Sequence, residues 1–81
     1  MISPADVRGL LQSEEKNAVL VVIEGRVEVI GAGRLASPDY RGALEVVSRD
    51  DLVQRIGETP SDREIDEQAA QLDTAVSELG G

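Results

Sequence analysis

The side chains best suited to proton transfer and nucleophilic attack are missing, because the chain has no His and no Cys. Imidazole is the usual general base near neutral pH, and thiolate the strongest side-chain nucleophile. A Ser-His-Asp arrangement is therefore impossible. A Ser-Lys pair would need Lys16, the single lysine, which stands in a polar turn from Ser13 to Asn17. Paired carboxylates can hydrolyse a glycoside, but Glu24, Glu28 and Glu45 read as solvated strand ends. A domain this small has little room for a deep substrate pocket. Hard cations want clustered oxygen ligands. Asp62, Glu64, Asp66 and Glu67 are close in sequence, yet a helix fans them around its axis. This inventory points away from catalysis and calls for no metal and no cofactor.

Two glycine motifs need separate treatment. Gly31-Ala32-Gly33-Arg34-Leu35-Ala36 follows an apolar run, and Asp50 and Asp51 lie farther on. This spacing resembles the phosphate-binding turn of Rossmann dinucleotide folds, which would imply a nucleotide at a helix N-terminus. A parallel crossover needs at least about 10–12 residues, including a helix. Ser37 to Gly42, interrupted by Pro38, is too short for one. A loop between antiparallel strands is the expectation instead. The Gly80-Gly81 ending resembles that of ubiquitin-like modifiers and sulfur carriers, which implies adenylation of the last glycine. Here a helical pattern leads into it, where those families have a strand, and glycine after a helix is also an ordinary stop.

The elements that position these residues follow from capping chemistry and periodicity. Ser3-Pro4-Ala5-Asp6 carries an N-cap hydroxyl, Pro at the first helical position and an acid at N3, predicting a helix from Pro4 to Ser13. Ser48-Arg49-Asp50-Asp51 repeats the signal, with Gly57 as the stop. Ser61-Asp62-Arg63-Glu64 is the cleanest capping box and opens a helix over 61–79. Between the first two helices, Ala18 to Glu24 and Val27 to Ile30 read as strands joined by a two-residue turn, either Glu24-Gly25 or Gly25-Arg26. Ala43 to Val47 is the third strand. The expected fold is a single small α+β domain over 1–81, a three-stranded antiparallel sheet in the order α-β-β-β-α-α.

The first strand is apolar on both sides. Leu20, Val22, Val27 and Val29 share one face; Val19, Val21, Ile23 and Ile30 share the other with Glu28. A small antiparallel sheet normally leaves one face to water, so something must cover each. The last helix carries a second apolar signal: Ile65, Ala69, Leu72, Val76 and Leu79 step by four and three, an a/d heptad stripe. Two alternatives stay open. The stripe packs on the domain's own sheet, or the helix projects and pairs with another chain.

Charge completes the reading. The 81 residues carry 16 acidic and 8 basic side chains, net −8. Residues 1–57 hold nine acids and seven bases (net −2), and residues 58–81 hold seven acids and one base (net −6). Such a chain is repelled by nucleic acid and anionic lipid, so no direct nucleic-acid or membrane binding is expected. The longest strongly apolar run, Ala18 to Ile23, is too short to span a bilayer, and a cytoplasmic location is the default. The expected function is a non-catalytic protein–protein interaction or regulatory module. In the first version it is a self-associating homodimer using Val19, Val21 and Ile23 or the heptad stripe. In the alternative, Asp66, Glu67 and Asp73 bind a basic partner, as an acidic inhibitor, antitoxin or nucleic-acid mimic does.

Overall fold

Hydroxyl caps start all three helices of the computed structural model, which describes residues 1–79. In α1 (Pro4–Gln12) the Ser3 hydroxyl accepts from the Asp6 N–H at 3.3 Å, and the Asp6 carboxylate accepts from the Ser3 N–H at 2.9 Å. In α3 (Asp62–Glu78), Ser61 and Glu64 make the same exchange at 3.2 and 3.1 Å. Each satisfies donors that a helix start otherwise leaves open. In α2 (Arg49–Ile56), Ser48 accepts from the Asp51 N–H at 3.1 Å. Gly57 closes that helix with φ +80°, a conformation that favours glycine. The expected stop at Gly80 and the Gly80-Gly81 ending lie outside the described residues.

Strands β1 (Ala18–Ile23) and β2 (Arg26–Gly31) form the hairpin. Its turn is Glu24-Gly25, with φ of +50° and +79°. Two successive positive φ angles match the twist of the flanking strands, which decides between the two registers open in the sequence. With β3 (Leu44–Ser48) the sheet order is β2-β1-β3, and both pairings are antiparallel. The fold is therefore the α+β arrangement α-β-β-β-α-α. The apolar β1 is the central strand, which is why it is buried on both sides. Along β3 the register shifts between Leu20 and Val21: Val47 faces Leu20 and Glu45 faces Val21. Val46 is thus the extra residue of a β-bulge.

Each face has its own cover. Ala18, Leu20 and Val47 meet Val7 and Leu10 of α1, Leu52 of α2, and Ile65, Ala69, Leu72 and Val76 of α3. On the opposite face, Val19, Val21 and Ile30 pack under Ala32, Leu35, Tyr40 and Ala43. That second cover is the β2–β3 connection itself. It was expected as a loop between antiparallel neighbours, and this is corrected. β2 and β3 each run antiparallel to β1, so they run parallel to one another with β1 between them. The connection is a crossover of twelve residues, 32–43, built from two 3-10 turns, Ala32–Ala36 and Pro38–Tyr40. The glycine motif Gly31 to Ala36 is the first of those turns. Burial of the second sheet face accounts for its course.

Candidate protein-binding surface

The residues expected to meet a second copy are internal. Val19, Val21 and Ile23 are 2%, 0% and 6% exposed within the single chain. Val19 and Val21 are buried because the crossover supplies the cover. A polar latch holds that cover down. The Tyr40 hydroxyl donates to Glu28 Oε1 at 2.9 Å, and Arg26 Nε donates to Glu28 Oε2 at 2.5 Å. The Arg34 guanidinium stands 5.5 Å from the centroid of the Tyr40 ring, within cation–π range. The hydrogen bond from Arg26, then that from Tyr40, holds the Glu28 carboxyl below its usual range. The same bond to Glu28 raises the Tyr40 hydroxyl.

The heptad stripe divides. Ile65, Ala69, Leu72 and Val76 are buried in the chain's own core, whereas Leu79 is 71% exposed. Gln68 belongs to the buried side although the sequence set it off the stripe. Its Nε2 donates to Gln71 Oε1 at 3.3 Å, and its own Oε1 finds no partner among the described residues.

The acids of α3 do not converge. At about 100° per residue, Asp62, Asp66 and Asp73 lie on one flank and Glu64, Glu67 and Glu78 on the other. The first flank faces the N-terminal segment. Arg8 donates to Asp62 at 2.7 Å. Asp73 accepts from the Met1 ammonium at 2.7 Å and from the Ile2 N–H at 2.9 Å. Those bonds, the ammonium's first, hold the Asp73 carboxyl below its usual range. Asp73 is therefore engaged within the chain. Asp66 is exposed, and Glu67 accepts from Arg63 at 3.2 Å one turn earlier on the helix. Of the three expected binding acids, Asp66 and Glu67 point to different sides.

The other flank borders a groove that sequence reasoning missed. Leu44 and Val46 of β3 form one wall, and Leu72, Ala75, Val76 and Leu79 of α3 the other. Glu45, Arg55 and Gln71 stand at its rim, and its volume is about 250 Å³. The available signal was small: Ala75 is a short side chain beside the apolar stripe, and Leu44 opens an edge strand. A larger opening of about 510 Å³ lies between α1 and α2, lined by Leu11, Arg49, Asp50, Val53, Gln54 and Glu58. Its cation is committed elsewhere, since Arg49 donates to the backbone oxygens of Ser13 and Glu15.

Among the described residues no three or more acidic side chains are grouped to hold a metal ion. No helix among them is long and apolar enough to cross a membrane. Comparison with protein-family models, with curated proteins and with solved structures finds no match to this chain.

Proposed function

We propose that this chain is a non-catalytic protein-binding module that docks a basic partner on the groove side of α3. One observation carries the reading. Both sheet faces are closed by the chain's own elements, and an apolar groove stays open beside the most acidic segment. The carboxylates steer a basic surface toward the groove, and apolar contact inside it adds affinity that salt does not screen. Self-association, the other expectation, loses its main motive once Val19, Val21 and Ile23 are buried internally. Net charge of −8 per copy also opposes it.

Binding to arrays of peptides graded in charge tests this. Lysine- and arginine-rich peptides should be selected, and their affinity should fall as ionic strength rises. Neutralising Glu67→Gln and Glu78→Gln together should weaken binding, since both lie on the groove flank. Asp66→Asn, on the opposite flank, should weaken it less. Selection of peptides without regard to charge, with affinity indifferent to salt, would overturn the proposal. Light scattering over a hundredfold concentration range should give a constant mass near 8.6 kDa.

A further inference from the structure

We infer that the groove between β3 and α3 receives an extended basic segment of the partner, which adds as a fourth strand on the outer edge of β3. The inference rests on the binding function proposed above and names how that surface is used. The sheet order β2-β1-β3 leaves β3 hydrogen-bonded to a strand on one side only. Among the described residues, Glu45 to Ser48 make no backbone hydrogen bond outside the sheet ladder. An unpaired edge is a ready template for another chain.

The two edges of the sheet differ. Along β2, Arg26 and Glu28 are tied to each other and to Glu24 and Tyr40, and charged side chains of this kind guard an edge. Along β3 the sequence is Leu44-Glu45-Val46-Val47-Ser48, with one charge. A new strand would lie about 4.8 Å beyond β3, over the groove. Its alternate side chains would then drop between Leu44 and Val46 on one side and Leu72, Ala75 and Leu79 on the other. The groove's 250 Å³ falls below the roughly 300–1,000 Å³ of small-molecule sites and suits individual side chains of a strand better. This is strand addition, in which backbone bonds supply affinity and alternate pockets supply selectivity.

Charge identifies the occupant. Glu45 and Arg55 stand together at the rim, Glu67 and Glu78 lie within about 40° of the rim residue Gln71 around α3, and residues 58–81 carry a net charge of −6, so the outward side chains of the added strand are best basic. A second copy would bring its own acids to the same place. The bulge at Val46 interrupts the ladder for either occupant, so charge is what distinguishes them.

The test uses the full chain and a synthetic octapeptide alternating valine and lysine. Two controls accompany it, one N-methylated on alternate amides and one with glutamate for lysine. Backbone amide shifts and hydrogen exchange are followed by NMR. The parent peptide should shift and protect amides of Leu44 to Ser48 and shift those of Ala75 and Leu79. N-methylation removes the strand's donors and should cost about tenfold or more in affinity. Ala75→Arg should obstruct the groove with a similar loss, and because Ala75 is exposed the fold should survive. If the N-methylated peptide binds as well as the parent, strand addition is refuted while docking of a basic partner stands. If the glutamate peptide binds as well as the lysine one, the basic-partner reading falls. Protection of β3 that grows with protein concentration in the absence of peptide would make a second copy the occupant and refute the inference.

Discussion

Replacing Val21 by lysine separates a face covered from within from a face waiting for a second subunit. Val21 is fully buried at the centre of β1, beneath the crossover. Losing a buried aliphatic side chain costs about 1.5–3 kcal/mol. Forcing an ammonium into the same place lowers its pKa by up to about 3–5 units, at roughly 1.4 kcal/mol each, or about 4–7 kcal/mol. The sum, about 6–10 kcal/mol, matches the whole stability of an 81-residue domain, about 4–12 kcal/mol at the usual value per residue. Val21→Lys should therefore be largely unfolded by far-UV circular dichroism, with its urea midpoint at or near zero. The penalty is full below the depressed folded-state pKa and shrinks as pH rises toward the unfolded value of about 10.4, so mild alkali should partly restore structure. Leu79→Lys, at a site 71% exposed, should stay within about 0.5 kcal/mol of the parent. A folded Val21→Lys protein with an unchanged midpoint would show that the crossover does not cover this face. Were its mass also halved, the face would be an interface between copies.

Truncations along α3 should separate core from surface. Leu72→Ala, at a buried position, should cost about 2–5 kcal/mol in urea denaturation. Leu79→Ala should leave stability nearly unchanged and weaken peptide binding in the groove; equal stability losses at the two sites would contradict the division of the stripe. The latch on the crossover should be legible in pH. Because Arg26, then Tyr40, hold the Glu28 carboxyl low in the folded state, the unfolded chain takes up the proton first as pH falls. That contribution to stability is present above about pH 4.3 and is lost as pH falls through the lower folded-state value. Thermal melts at about pH 7 and about pH 3 should therefore differ less for Glu28→Gln than for the parent, and an identical pH dependence would remove the latch.

Much of the scaffold was readable because its signals are local. The Ser3–Asp6 and Ser61–Glu64 exchanges involve residues three apart, and the strands are β-branched runs broken by Glu24-Gly25. The facing of β1 followed from a period of two. What escaped is non-local. No spacing within 31–43 reveals that β3 pairs with β1 rather than with β2, because that choice depends on which strand must be buried on both faces. The doubly apolar β1 did state that two covers exist; it could not state that the glycine-containing connection was one of them. The placement of the expected binding acids was hidden for a related reason. Helical rotation sets Glu67 apart from Asp66 and Asp73, and Asp73 is taken up by a segment 71 residues away. The groove was least legible of all, since it depends on the gap between β3 and α3, elements that the chain order sets apart.

These non-local choices bear directly on how the domain could meet a partner. With one aromatic ring in the chain, the aliphatic residues of β1 must be shielded on two sides at once. Three helices shield the first side and the crossover the second. Because the crossover runs over the face opposite the helices, it leaves the outer edge of β3 without a neighbouring strand. The helix layer does not close the gap there either: α3 stands off from β3, and Leu44, Val46 and Ala75 look into the space between. The opening next to α3 is thus a consequence of how the core is closed. Under the binding function proposed above, a partner filling it would gain apolar contact the domain cannot make alone, and the carboxylates of α3 would favour a basic one.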